Sequence, residues 1–182
     1  AVSLGIDFDH NWGGSRSRDW NLHGFFSGSH VRGATDALLE IQTASNHFFQ
    51  RPDATRFSVD STATSMNGYN WRLQLERQSA SKLTYGVWLA EVSPGFEVND
   101  VGFSTSGERI DGGFRAQYRE ITPGRFFRSY RLSGFTYYNF RHAALDDPFT
   151  WSSWRESYKS GTFSLGADME FNNLWKLELD TR

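Results

Sequence analysis

The segment from Glu91 to Phe114, EVSPGFEVNDVGFSTSGERIDGGF, lies between two stretches in which apolar and polar residues alternate. Its glycines, proline, asparagine and aspartates are typical of a loop. Period-two alternation is typical of a strand with one apolar face, so the segment is predicted to be a long loop between two strands. The apolar positions of these strands are Leu83, Tyr85, Val87 and Leu89 before the loop, and Ile110, Phe114, Ala116 and Tyr118 after it.

The same alternation recurs along the chain and predicts about ten strands in all. Besides the two strands above, they cover residues 2–9, 20–31, 36–49, 57–63, 69–76, 127–140, 163–170 and 175–180. The connections after the sixth and eighth strands are long, and Asn67-Gly68 has the composition of a hairpin turn. We therefore predict an all-β fold, an antiparallel up-and-down β-barrel of the outer-membrane type.

Residues 36–49 are the hardest to assign. One interpretation is a helix with Thr35 or Asp36 as its N-cap. The interpretation favoured here is a strand, with Leu39, Ile41 and Thr43 on one face. Residues 57–63 would then follow as a weaker strand.

Length and composition exclude several classes of protein. The 182 residues suit one domain, and a net charge of -2 without basic runs argues against nucleic-acid binding. The absence of cysteine excludes disulfides and thiolate metal sites. No apolar run reaches the roughly 18 residues that a spanning helix needs, whereas a membrane strand needs only about 9–11. Because the chain starts in mid-strand at Ala1 and stops at Arg182 straight after a strand, we expect a single barrel segment, residues 1–182, that is incomplete at both ends.

Alternation alone does not say which face meets water, and a soluble antiparallel barrel or sandwich fits it too. Three features favour a membrane barrel. The polar faces combine small and charged residues, and the strands approach about ten residues, against the five or six usual in soluble sheets. Aromatic residues also lie toward the strand ends, as in an interfacial girdle; they are Trp20, Tyr69, Trp71, Tyr118 and Trp175.

Two runs, QRPD at residues 50–53 and SPGFEVNDVGF at residues 93–103, resemble a family of large exported bacterial proteins of uncharacterised function. In that family, carried by Gemmatimonadota, Bacteroidota and Acidobacteria, a family 9-type carbohydrate-binding module precedes an outer-membrane barrel region. The resemblance covers most of the chain and implies that this chain is the barrel region. It contains neither the module nor a closing strand with a terminal aromatic residue, and the family implies no activity.

The charged residues of the polar faces are interpreted as the lining of the barrel lumen. Asp7 and Asp9 lie about 6.5–7 Å apart on one face, a spacing that also suits the carboxylate pair of a glycosidase. Similar pairs at residues 168–170 and 178–180 favour a structural lining, and no enzyme activity is predicted because no catalytic motif is present. The lining residues are Asp7, Asp9, Arg72, Glu76, Arg115, Arg119, Asp168, Glu170, Lys176 and Glu178.

The central loop carries a candidate metal site. Glu97, Asn99 and Asp100 offer oxygen ligands, which Ca²⁺ prefers. The alternative is that Asn99 and Asp100 form Asx turns that fold the loop back on itself. No other cofactor is predicted.

The loop after residue 140 carries a candidate carbohydrate site. Aromatic rings beside carboxylates suit stacking on a sugar, and they suit anchoring at a membrane interface or loop packing equally well. The residues are Trp151, Trp154, Tyr158, Asp146 and Asp147.

The first hypothesis is therefore an outer-membrane β-barrel segment that transports a solute or anchors a surface or periplasmic binding module. Its expected partners are the lipid bilayer and further strands, from its own longer chain or from a partner subunit. Carbohydrate is a candidate ligand, and nucleic acid is not. The alternative is a soluble secreted β domain that binds a ligand such as carbohydrate.

Overall fold

A computed structural model describes residues 1–14, 19–54, 56–78, 82–99 and 107–181. They form one antiparallel sheet of eight strands, each paired with the next along the chain. The described parts of β1 and β8 do not pair with each other, so the sheet is open. The strands are β1 (Val2–Trp12), β2 (Trp20–Arg32), β3 (Ser65–Arg77), β4 (Leu83–Val92), β5 (Arg109–Glu120), β6 (Phe127–Phe140), β7 (Tyr158–Phe171) and β8 (Lys176–Thr181).

The connections contain the helical elements. These are α1 (Thr35–Thr43), a 3₁₀ turn (His142–Leu145) and α2 (Trp151–Glu156). Among the helices of the described ranges, none has the length and apolar character needed to cross a membrane.

The pairing register aligns apolar residues with apolar residues on neighbouring strands. Leu73 of β3 lies opposite Leu89 of β4, and Val87 of β4 lies opposite Phe114 of β5. Because successive side chains of a strand point to opposite faces, these pairs place most apolar residues on one face and most polar residues on the other. The predicted all-β, antiparallel, up-and-down order is confirmed, but the sheet is not closed into a barrel.

The connections also alternate in length from one end of the sheet to the other. Those at residues 78–82, 121–126 and 172–175 are short and join strands at one end. Those at residues 33–64, 93–108 and 141–157 are long and join strands at the opposite end. The predicted long loops after β4 and β6 are confirmed, and the helices and buried loops gather at this second end.

The prediction of about ten strands is wrong, because residues 36–49 and 57–63 form no strand. Residues 35–43 form α1, preceded by Ala34 as N-cap. Leu38 and Gln42, four residues apart, are the buried side chains of this helix. The amide of Gln42 donates to the carbonyl oxygen of Asp60 at 3.0 Å and accepts from the Asp60 N–H at 2.7 Å. A side chain thus supplies the hydrogen bonds that a neighbouring strand would have given to Asp60.

The predicted turn at Asn67-Gly68 is also wrong, because both residues lie inside β3. Asn67 is opposite His30 of β2, and the His30 ring nitrogen Nδ1 is 2.7 Å from Asn67 Oδ1. Gly68 is required by close packing. A Cβ atom at Gly68 would lie 2.0 Å from the backbone nitrogen of Phe96. The central loop therefore packs its backbone directly onto β3.

Burial of apolar side chains is concentrated at the end with the long connections. Val31, Leu38, Phe49 and Met66 form a buried cluster between β2, β3 and the loop that contains α1. The apolar face of the sheet differs, since side chains such as Leu89 and Phe163 are each 55% exposed. The sheet therefore has a small hydrophobic cluster at one end and a wide uncovered apolar face.

We expect Gly68→Ala to lower the free energy of unfolding by about 1–3 kcal/mol, because its methyl group has no room against the Phe96 backbone. Gly28→Ala is the matched control, since a Cβ there would meet only Gly68 O at 3.8 Å. Denaturant unfolding, with proteolysis of the central loop, measures both. Equal stability of the two variants would contradict the close packing.

Candidate functional site

Glu76 is the centre of a hydrogen-bond network on the polar face. Its carboxylate is 5% exposed and accepts from Gln78 at 2.8 Å, from Gln74 and from Arg115. Arg115 lies on β5, two strands away from Glu76. Gly86 of β4 lies between them, and a Cβ at that position would be 3.2 Å from Glu76 Cγ. The glycine therefore lets an ion pair form across an intervening strand.

Further ion pairs lie on the same face. Arg131 of β6 contacts Asp168 of β7 at 2.7 Å, and Arg128 contacts Glu170 at 3.4 Å. Asp9 accepts from Asn11 and Asn21, each at 2.7 Å. The register places all ten residues of the predicted lining on this one face. Their assignment to a lumen stays a prediction.

An aromatic band, defined as Trp88, Phe135 and Tyr137, interrupts this polar face. Trp88 and Phe135 stack nearly in parallel, with centroids 5.7 Å apart at 18°, and the centroids of Phe135 and Tyr137 are 5.9 Å apart. The guanidinium of Arg72 lies 5.5 Å from the Trp88 ring centroid. Gly113 of β5 makes room for the indole, since a Cβ there would be 2.2 Å from Trp88 Cζ2.

At the end with the long connections, His47 joins two loops. Its Nδ1 lies 2.8 Å from Pro94 O, and its Nε2 lies 2.7 Å from Glu97 Oε2. Glu97 also accepts from the Asn99 N–H at 2.5 Å. Burial opposes ionisation of Glu97, but the hydrogen bonds from His47 and Asn99 outweigh it and hold the pKa of this carboxyl below its usual value. The pair fastens the central loop to the loop that contains α1.

Glu108 is a second centre of contacts between loops, and its side chain is 2% exposed. It forms an ion pair with Arg51 and accepts from the His142 N–H at 2.8 Å. Lys159 Nζ donates to the Glu108 carbonyl at 3.3 Å. Glu108 has a φ of 49°, which is uncommon for a residue other than glycine. The three long connections therefore meet at one buried carboxylate.

Glu91 is a carboxylate on the apolar face, where β4 reaches the loops. It accepts from the Tyr69 hydroxyl and from Trp71 Nε1, each at 2.7 Å. His142 Nε2 lies 3.3 Å from Glu91 Oε1, without the alignment of a hydrogen bond. Burial lowers the pKa of His142, against the opposing effect of Glu91 and Glu108. We name His47, Arg51, Glu91, Glu97, Glu108 and His142 the loop network.

Two residues of the predicted calcium site, Glu97 and Asn99, lie together, because Asn99 donates two hydrogen bonds to the Glu97 carboxylate. The carboxylate of Glu97 binds His47 and Asn99, and Asp100 lies outside the described residues. Across the described ranges, no group of three or more His, Asp or Glu side chains is placed to hold a metal ion. The calcium site stays a prediction.

The structure brings together part of the predicted carbohydrate platform. Trp154 and Tyr158 pack on Phe140, with ring centroids 5.0 and 6.1 Å away. Trp151, on α2, is 75% exposed. The two carboxylates have neighbours of their own: Asp146 pairs with Arg56 at 2.6 Å and Asp147 accepts from Thr150 at 2.5 Å. This site, too, stays a prediction.

Sequence reasoning missed the loop network and the aromatic band. His47 and Glu97 are 50 residues apart, and no local spacing connects them. The band had a signal, because Trp88 falls on the polar positions of its predicted strand and Gly113 falls on those of the next. A glycine in a strand often marks close approach of another group, so a large aromatic residue beside it on a polar face indicates an aromatic ring packed over the backbone.

A known family matches most of the chain, from within β2 to within β8. The model of a family described as "Domain of unknown function (DUF5916)" matches residues 27–177. The chain belongs to the DUF5916 family. The match spans the aromatic band and the loop network, and it confirms that the resemblance pointed to a family of uncharacterised function. No curated protein and no solved structure matches this DUF5916 chain.

We expect Glu108→Gln in this DUF5916 chain to lower the free energy of unfolding by up to about 3–5 kcal/mol, because it leaves the buried Arg51 charge with only the part-exposed Asp53, 3.3 Å from its Nε, as a carboxylate partner. Asp146→Asn is the control, since its pair with Arg56 also joins two loops but is 40–46% exposed. The control should change stability by less than about 1 kcal/mol. Denaturant unfolding measures both, and similar losses would argue against a special role for Glu108.

We also expect acid to loosen the long loops in two steps. The folded-state pKa of His142 is lowered from 6.5, so the unfolded chain binds its proton more readily and stability falls below pH 6.5. The pKa of Glu97 is lowered from 4.5, so its stabilisation is full above pH 4.5 and is lost as pH falls further.

Amide hydrogen exchange of residues 93–99 above, between and below these two pH values measures both steps, once each rate is divided by the intrinsic exchange rate at that pH. Glu97→Gln should remove the second step and keep the first. Protection factors that stay constant over this pH range in the wild-type chain would contradict the linkage.

Proposed function

We propose that this chain is a segment of the wall of a bacterial outer-membrane β-barrel, with its apolar face against lipid and its polar face lining the lumen. One observation carries the proposal: the apolar face of the meander is continuous across eight strands and exposed. Soluble monomers rarely leave so wide an apolar surface uncovered. In a bilayer, lipid would cover it.

Strand length supports the proposal. Seven of the eight strands are 10–14 residues long. A tilted membrane strand needs about 9–11 residues, whereas soluble strands usually have about five or six. The strands are therefore long enough to cross the apolar layer and reach both interfaces.

Aromatic rings at both ends of the apolar face are a second support. At the short connections, Trp12 stacks on Trp20 with centroids 6.2 Å apart, and Trp20 contacts Tyr85 edge-on at 5.7 Å. At the long connections, Tyr69 and Trp71 donate to Glu91. Membrane barrels place such amphipathic rings at the two interfaces and aliphatic residues between them.

The open edges indicate how the wall would be completed. β1 and β8 are edge strands, and exposed edges readily pair with further strands. We propose that further strands, from a longer chain or from a partner subunit, close the barrel. The wall then transports a solute or anchors a binding module, and a family 9-type carbohydrate-binding module is the candidate. The barrel wall has no catalytic role in this proposal.

A second candidate function is a soluble secreted β domain that binds carbohydrate. The exposed rings of Phe149 and Trp151 at the long-loop end favour it, since they offer free faces for stacking. In that case another part of the protein would have to cover the apolar face.

A spin label at Leu73 of the complete protein in liposomes distinguishes the two functions. These 182 residues contain no cysteine, so Leu73→Cys gives the segment one labelling site, and any cysteine elsewhere in the complete protein is replaced by serine. We expect high accessibility to oxygen and low accessibility to a water-soluble relaxer, because Leu73 lies at the middle of the apolar face. A label at Gln117, on the polar face, is the control and should meet the aqueous relaxer.

Low accessibility of Leu73 to both reagents would mean a packed protein core and would favour the soluble domain. High aqueous accessibility at Leu73 would exclude lipid contact. Either result overturns the barrel wall.

A further inference from the structure

The aromatic band lies on the polar face of the sheet, although its side chains are largely apolar. Trp88, Phe135 and Tyr137 are large rings, and the strands that carry them place apolar side chains on the opposite face. Phe135 is 37% exposed, so part of the ring surface is free. Rings held on a polar surface and left partly uncovered are suited to stacking against a ligand.

The position of the band is determined by the backbone beneath it. The six-membered ring of Trp88 lies directly above Gly113, where a Cβ would be 2.2 and 2.3 Å from ring carbons. Arg72, opposite Phe25 of β2, donates to Gln74 at 2.7 Å and places its guanidinium near the other side of the band. The rings are therefore positioned before any ligand arrives.

The groups beside the band supply donors and acceptors for hydroxyl groups. On one side, Glu76 pairs with Arg115. On the other side, Arg109 contacts Asp111 at 2.8 Å. These two pairs are charge-compensated, and Arg72, whose guanidinium lies 5.5 Å from the Trp88 ring centroid, adds a positive charge and further N–H donors.

We propose that the aromatic band is a binding subsite for the pyranose rings of an oligosaccharide. A pyranose combines an apolar face, which stacks on an aromatic ring, with a rim of hydroxyl groups, which binds the flanking polar side chains. Trp88 and Tyr137 lie two strands apart, roughly 10 Å, which suits about two sugar rings. The inference rests on the proposed function, because it takes the polar face to line the lumen, and it names the solute class of that lumen.

Calorimetric titration of the complete protein with maltohexaose tests the proposal. We expect saturable binding, and we expect Trp88→Ala to weaken it at least about tenfold through loss of stacking. Trp88→Phe keeps an aromatic face and should restore most of the affinity. Trp175→Ala, an exposed tryptophan at the turn before β8, is the control and should bind like the wild type. Polyethylene glycol of similar length, which has no pyranose face, should not bind.

No binding of maltohexaose to the wild type, or equal affinity of the wild type and Trp88→Ala, overturns the proposal. Equal loss in folded Trp88→Ala and Trp88→Phe also overturns it, because an aromatic face would then not be what binds the sugar. If both variants unfold, Tyr137→Ala takes their place, and wild-type affinity in folded Tyr137→Ala overturns the proposal. The Leu73 label tests the barrel independently. Lipid contact at Leu73 without saccharide binding refutes the subsite alone, whereas saccharide binding with a buried Leu73 refutes the lumen and keeps a saccharide site on a soluble domain.

Discussion

The register of the eight-stranded meander is the constraint on which the rest of the structure depends. Leu73 faces Leu89 on one side of the sheet, while Gln74 faces Trp88 on the other. A slip of one residue at any pairing would exchange the two faces of that strand. Because consecutive strands are paired from β1 to β8, one consistent register yields one apolar surface and one polar surface, and each surface can then meet a different environment.

The two ends of the sheet are built differently for a physical reason. The short connections leave little backbone to satisfy, whereas the long ones bring carboxylates and peptide groups out of water. Burial of a carboxylate such as Glu108 is tolerated only where donors surround it, and Arg51 and the His142 N–H supply them. The loop network therefore holds three connections together at one end, where a barrel would have its mouth.

Two residues lie on the face opposite to the one that their side chains predict, and both indicate where the sheet has a function. Glu91 lies on the apolar face and accepts hydrogen bonds from Tyr69 and Trp71. Trp88 lies on the polar face, above a glycine that makes room for it. Local rules are broken in proteins mostly where function requires it, and these two places are the interface and the subsite of the proposed barrel wall.

The sequence by itself determined the eight strands that form, the faces of all of them except β6, and the two long loops at residues 93–108 and 141–157, because a period of two and the turn residues are local properties. Only the tertiary structure decided that residues 35–43 are a helix, since the burial of Leu38 and the pairing of Gln42 with Asp60 outweigh a strand-like pattern. The same holds for Gly68, which the backbone of Phe96 contacts, and for the pairing of His47 with Glu97. These contacts join residues far apart in the chain, and no local pattern records them.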